Sequence, residues 1–306
     1  SRGNFVTMSS TSHNGSEAGH NTSPQPVLLQ ALEGHQGAIY DLCLTSNGDL
    51  VSAGGDGLLV LWAKSGQGWT NQGKAVAKAA APLFTLCTNE GGMLAGTGDG
   101  GILSLAPGGE WEIKPAHPGG TYVVTPEATG GADGQWRTWP DGQALAHLAG
   151  RVRCSLSTDE GTFVGTSEGT IHHIASGAET TAHVGAVRAM VMWPGKSALA
   201  SVGGDGRLCI WRTTAGGKLE SVLTEDAHKG AVYRMVVSPD GRWVGTCSRD
   251  KSIALWNADT LALETRIVRP HWQGHTRSIN AMVWSGNGTL ATAGDDGRIL
   301  IWGFSR

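Results

Sequence analysis

The chain has 306 residues, of which 47 are glycine and 11 proline, and its 23 Lys and Arg against 26 Asp and Glu leave a formal charge of −3. Glycine at about twice its usual ~7% share excludes a helical bundle or coiled coil, while 40% hydrophobic residues suffice for a large core and exclude a disordered chain. A slightly acidic balance without long basic runs argues against direct nucleic-acid binding.

Residues 1–26 are rich in Ser, Asn, Gly and His, too polar to bury a core, and read as a flexible leader, with 1–7 a non-native extension ahead of Met8. They contain no apolar signal-type stretch, and no apolar run elsewhere is long enough to cross a bilayer, so no membrane partner is expected. Cys43, Cys87, Cys154, Cys209 and Cys247 are odd in number and form no CxxC pair, which reads as core thiols of a reducing, cytoplasmic setting. In such a setting the N-x-Ser/Thr sites at Asn14, Asn21 and Asn287 carry no weight.

Val27–Leu32 is an apolar strand, and after it the chain repeats itself. GGDGLLVLW at 54–62, GGDGRLCIW at 203–211, SRDKSIALW at 248–256 and GDDGRILIW at 294–302 share one template: an Asp, a turn residue, then alternating apolar positions ending in Trp. The alternation predicts a β-strand, and the Asp-Gly before it a tight hairpin. A His stands 21 or 22 residues before each Asp (His35, His183, His228, His275) and a hydroxyl four residues before it (Ser52, Ser201, Thr246, Thr292). Weaker copies fill the interval, with Asp99 and Leu105, Asp133 and Trp139, and Glu168 and Ile174 at the Asp and Trp positions. The second copy has Ala95 in place of the hydroxyl and no His, the third has only Thr129, Asp133 and Trp139, and the fourth has His147. These three are expected to depend on packing alone and to be the likeliest to open locally. Seven units then cover residues 27–306 as one domain.

The Gly-His, hydroxyl, Asp and Trp series resembles the WD40-repeat family over roughly nine-tenths of the chain, although Ala63, Arg212, Asn257 and Gly303 replace the Asp that follows Trp in the family's ending. The resemblance implies an all-β, seven-bladed propeller of four-stranded antiparallel blades. It also implies hydrogen-bonded structural sets of His35, Ser52, Asp56 and Trp62; His183, Ser201, Asp205 and Trp211; His228, Thr246, Asp250 and Trp256; and His275, Thr292, Asp296 and Trp302. Because an open edge in the last blade would invite aggregation, Val27–Leu32 is expected to pair with the C-terminal repeat and close the ring.

No catalytic constellation emerges. Gly165-Thr166-Ser167-Glu168-Gly169 matches G-x-S-x-G, but its neighbours read as strands, whereas a nucleophile elbow leads from strand into helix. His172 and His173 alternate to opposite faces of a strand and cannot share a metal, and the Asp-Gly loops lack the ordered oxygen ligands of a Ca²⁺ site. No cofactor is expected, since a phosphate-cradling glycine loop with its lysine is missing.

What remains is a ring with exposed faces. In the family, partners most often meet the top face, and the residue after the first apolar residue of each inner strand falls there on Tyr40, Phe84, Val123, Arg153, Arg188, Tyr233 and Asn280. The residue before each hairpin Asp is small except at Arg249 and Asp295. Tyr and Arg are typical interface anchors, so the expected function is a non-catalytic scaffold holding a protein partner through an acidic or phosphorylated segment, with Arg153, Arg188 and Arg249 pairing the anions. The bland alternative is that Tyr40 and Tyr233 merely lean on neighbouring blades. Two other readings are a small-ligand binder or enzyme at the channel mouth, and an obligate structural subunit of a larger assembly. Trp272, in the insertion before the last repeat, is either a side anchor or a residue packed on its own blade.

Overall fold

The computed structural model describes residues 24–66, 68–89 and 92–305; the polar leader and its supposed extension at 1–7 therefore lie almost wholly outside the described residues. Seven four-stranded antiparallel sheets form the blades. Their inner strands are Ile39–Leu44, Leu83–Asn89, Thr121–Val124, Val152–Thr158, Val187–Met192, Val232–Val237 and Ile279–Trp284 for blades 1 to 7. Each inner strand packs against the next, and that of blade 7 packs against that of blade 1, so the ring closes. No helix among the described residues is long and apolar enough to cross a membrane.

Closure is made by strand Gln25–Glu33, which pairs antiparallel with Arg298–Ser305 as the outer strand of blade 7. A side chain fastens it further: Gln30 Nε2 donates to Trp69 O at 2.6 Å, tying the strap to a small hairpin, Lys64–Ser65 with Gly68–Trp69, inserted in blade 1. Trp69 itself is buried and its indole donates to Gly48 O.

The core lies between blades, because each sheet has two faces and each face meets a neighbour. Leu32, Ile299 and Ile301 of blade 7 meet Leu42, Leu50 and Trp62 of blade 1, and Cys247 and Leu255 of blade 6 meet Met282 and Trp302 of blade 7. Between blades 2 and 3 the buried cluster shrinks to Leu94, Ile102 and Val124. Trp272 is half-buried against the blade 6–7 core, which favours packing over a free side anchor.

The four expected polar sets form as a directional relay. In blade 5 the Trp211 indole donates to Ser201 Oγ at 2.8 Å, and His183 Nε2 lies 2.8 Å from that hydroxyl while Nδ1 lies 2.9 Å from Asp205 Oδ1. An indole only donates, so the hydroxyl must accept from it and donate onward to Nε2, leaving the proton on Nδ1 to reach the carboxylate. Blades 1, 6 and 7 repeat the arrangement through Trp62, Ser52, His35 and Asp56; Trp256, Thr246, His228 and Asp250; and Trp302, Thr292, His275 and Asp296. Burial disfavours the charged imidazole of His183 and His228 and lowers their pKa despite the adjacent carboxylates. For Asp56, Asp205, Asp250 and Asp296 burial opposes ionisation, but the His partners and backbone N–H groups outweigh it and hold all four below the usual carboxylate value.

Blade 3 differs from the sequence reading. His117 completes its set, with Nδ1 2.8 Å from Asp133 and Nε2 3.0 Å from Thr129. It stands only 16 residues before the Asp because the first two strands have four residues each. Trp139 does not join it; it packs beside Leu94 and Ile102 of blade 2, and Arg137 takes up the second oxygen of Asp133 at 3.0 Å. His147 belongs to no such set either: it is exposed on the outer strand Ala144–His147 of blade 3, beside Gln135. The place of the His in blades 2 and 4 is taken by buried Ala79 and Leu148, whose N–H groups bond to Gly57 O and Gly134 O as that of His117 does to Gly100 O. Those two blades keep the acidic residue, Asp99 or Glu168, but have apolar side chains at the His, hydroxyl and Trp positions, Ala95 and Val164 standing at that of the hydroxyl.

Gly165–Gly169 lies in strand, turn and strand, between Gly161–Thr166 and Thr170–His173, which rules out the nucleophile-elbow geometry.

Candidate binding site at the channel mouth

Every inner strand carries one β-bulge near its start: the pairing jumps from Ile39 to Asp41, from Leu83 to Thr85, from Thr121 to Val123, from Val152 to Cys154, from Val187 to Ala189, from Val232 to Arg234 and from Ile279 to Ala281. A bulge leaves its extra residue unpaired and re-aims its side chain. Here the extra residues are Tyr40, Phe84, Tyr122, Arg153, Arg188, Tyr233 and Asn280, and all seven line one cavity of about 480 Å³ at the mouth of the channel.

Six of them are positions expected from the sequence; the seventh is a correction. Val123 is buried in the core between blades 3 and 4, and Tyr122 takes the rim position. Thr121 occupies the slot filled elsewhere by Ile, Leu or Val, fully buried and with its hydroxyl unpartnered, so counting from the first apolar residue misplaces the register by one. Arg249 is exposed and outside the cavity lining, so the structure does not bring it together with the other two arginines.

Around the rim the chemistry is segregated. Tyr40 meets Phe84 edge-on at 5.4 Å and Phe84 stacks on Tyr122 at 5.4 Å, which makes an aromatic wall across blades 1 to 3. Tyr40 does lean on its neighbour, yet it also lines the cavity. Arg153 lies 4.3 Å from the Tyr122 ring centroid, and Arg188 lies 5.3 Å from that of Tyr233, distances at which a guanidinium is attracted to the ring face. Burial, and after it the neighbouring Arg188, push the Arg153 pKa down to about 10. On blade 7, Asn280 donates to Ile39 O at 3.0 Å and to Asp295 Oδ1 at 2.7 Å, so its amide nitrogen bridges to blade 1 and is no longer free for a ligand.

One contact could not be read from the sequence. Arg234 of blade 6 reaches Asp41 of blade 1, although the two are 193 residues apart. Asp41 is buried and also accepts from the N–H groups of Leu42 and Leu86, at 2.9 Å each. Of the three arginines in the cavity, Arg234 is thereby neutralised, while Arg153 and Arg188 have no carboxylate partner among the described residues.

The Ser–His–Asp sets are not a nucleophile and its base. Ser52 and Ser201 are fully buried and their oxygens already accept an indole N–H, so no substrate atom can reach them.

Comparison with known proteins agrees with the geometry. The model of the WD domain, G-beta repeat family matches residues 26–63, 218–257 and 267–303. The WD40 β-propeller domain of Doa1 superposes with a TM-score of 0.77 at 19% identity, covering 92% of this chain and 97% of that one. The chain is a seven-bladed β-propeller, three segments of which match WD40 repeats. Among curated relatives it is similar to Protein HIR1 of Chaetomium globosum (26% identical, over 36% of this chain and 12% of the relative). It is also similar to the ribosome biogenesis protein WDR12 homolog of Chlamydomonas reinhardtii (26%, over 57% and 38%), and to the target of rapamycin complex subunit LST8-1 of Arabidopsis thaliana (32%, over 26% and 27%). The matched part of this propeller thus spans well under half the length of each of these relatives.

Proposed function

We propose that this propeller is a non-catalytic scaffold that holds a protein partner by inserting a short segment of it into the channel mouth. The observation that carries the reading is the pair Arg153 and Arg188: two guanidinium groups, each backed by a tyrosine ring, line one cavity without a counter-ion among the described residues. An acidic or phosphorylated side chain supplies the missing charge, and arginine is the cation best suited to a forked hydrogen bond with either anion. The wall of Tyr40, Phe84 and Tyr122 offers rigid aromatic surface to the apolar neighbours of that anion. Relatives described as a complex subunit and as a biogenesis protein support a role in assemblies. The five free cysteines support a reducing, cytoplasmic setting.

The test is affinity capture from cytosol of the source cells, with the wild-type chain against a folded Tyr40→Ala/Arg188→Glu/Tyr233→Ala variant. Proteins bound by the wild type and lost from the variant are expected. A partner list that is unchanged by the three substitutions refutes recognition at the mouth.

A further inference from the structure

The rim has a second pole that the arginines do not account for. Asp295 of blade 7 lines the same cavity, half-buried, with Oδ1 accepting from Asn280 and no lysine, arginine or histidine in ion-pair contact among the described residues. Its charge is felt inside the mouth: burial, and after it Asp295, raise the pKa of the Tyr40 phenol. In the ring, blade 7 stands three blades from blade 4 in one direction and four in the other, so Asp295 faces Arg153 from the opposite side.

The three kinds of surface therefore follow one another in a fixed order: the carboxylate of Asp295, the aromatic wall of Tyr40, Phe84 and Tyr122, then the guanidinium groups of Arg153 and Arg188. Below them, the Asp41–Arg234 pair bridges blades 1 and 6 across the channel lining, which makes the mouth a cup entered from above. Arg188 Nε is buried without a hydrogen-bond partner among the described residues, so the packing around it holds that guanidinium in place.

We infer that the cup reads a bipolar peptide segment, with an acidic group held by Arg153 and Arg188, an apolar or aromatic centre on the tyrosine and phenylalanine wall, and a basic group held by Asp295. This rests on the mouth being the binding site and adds the requirement for the second charge. A segment acidic at both ends meets Asp295 as a like charge, and one basic at both ends meets the arginine pair, so each is rejected by one wall. The opposed poles also fix the direction in which the segment lies.

The probes are short fluorescent peptides sharing one apolar centre and differing only in their ends: basic–acidic, acidic–acidic and basic–basic, with a phosphorylated form of the first two. Binding is read by anisotropy on the full chain, and thermal melting checks that each variant is folded. The basic–acidic peptide is expected to bind about tenfold more tightly than either single-signed one, since like-charge juxtaposition is penalised. Arg188→Gln is expected to weaken it about tenfold through the lost charged hydrogen bond. Asp295→Asn, which keeps the oxygen that bonds Asn280, is expected to remove the preference over the acidic–acidic peptide. If the acidic–acidic peptide binds wild type equally well, or Asp295→Asn leaves the ranking unchanged, the second pole is wrong and the simpler acidic-segment reading survives. If no peptide binds, or Arg188→Gln has no effect, the mouth itself is not the site and both fall.

Discussion

The clearest test of how the blades hold together exchanges one atom in opposite directions in two of them. In blade 5, Ser201→Ala removes a fully buried hydroxyl that accepts from the Trp211 indole and donates to His183 Nε2. Two buried groups lose their only partner at once, and each such loss costs about 1–3 kcal/mol, so the variant should lose about 2–6 kcal/mol. In blade 2, Ala95→Ser adds the same hydroxyl where Ala79 and Leu105 stand in place of His and Trp. It finds no polar partner there and should also destabilise, by about 1–3 kcal/mol. At about 2–4 °C per kcal/mol, the melting midpoints should fall by about 4–24 °C and about 2–12 °C. Ser201→Thr serves as the control, because Thr246 and Thr292 fill the same place in blades 6 and 7. Differential scanning calorimetry on the three variants decides the matter. A Ser201→Ala midpoint within about 1 °C of wild type, or a rise for Ala95→Ser, would falsify the claim that the polar set works as a unit.

Other consequences follow from single residues and from pH. Thr121→Val replaces a buried, unpartnered hydroxyl by a methyl at the slot that Val152, Val187 and Val232 fill in other blades, and should raise stability by about 1 kcal/mol in urea titrations with the slope unchanged. Lys251 has φ of 70° at the hairpin position where the other strong repeats have glycine, as at Gly57 with φ of 75°; Lys251→Gly should gain about 1 kcal/mol by relieving the left-handed side chain, and a midpoint below wild type would contradict that. For pH, His117, His183 and His228 are held below their ordinary value by burial, so the unfolded chain binds protons first as pH falls below about 6.5, and stability present at neutral pH is lost from there downward. The lowered carboxylates, Asp56, Asp205, Asp250 and Asp296, continue the loss as pH falls through the ordinary carboxylate range and towards their own depressed values. Melting between pH 8 and pH 4 should therefore show a fall that begins near pH 6.5, and a midpoint that rises on acidification contradicts the neutral-imidazole assignment.

The ring, its closure and four of the five polar sets were legible because they depend on local spacing. A hairpin of fixed length puts the indole six residues after the carboxylate, and strands of nearly constant length put the imidazole 21 or 22 before it. Blade 3 escaped because its strands are shorter, not because its chemistry differs. The missing signal was the dipeptide: Ala116-His117 matches Ala182-His183 and Ala227-His228, each followed two residues later by glycine. Counting five residues on from each His reaches Tyr40, Tyr122, Arg188, Tyr233 and Asn280, which places Tyr122 on the rim without reference to the polar Thr121 that misled the apolar count. The Asp41–Arg234 pair had no such signal, since it joins blades that become neighbours across the channel only once the ring is closed.

That pair bears on why the mouth is asymmetric at all. A seven-fold ring of similar repeats offers seven equivalent bulge positions, and the bulge is a backbone device that survives any side chain. Blades 2 and 4 illustrate the same independence from the other side, since they have lost the whole His-to-Trp relay and still present Phe84 and Arg153 at the rim. Structural support and rim chemistry are therefore separable in this fold: the apolar faces between blades hold the ring, and the residue at each bulge is free to vary without loss of that support. Arg234, one residue beyond its blade's bulge, spends its charge on Asp41 inside the channel, whereas Arg153 and Arg188 occupy bulges and have no carboxylate partner among the described residues, which is the asymmetry the proposed recognition draws on.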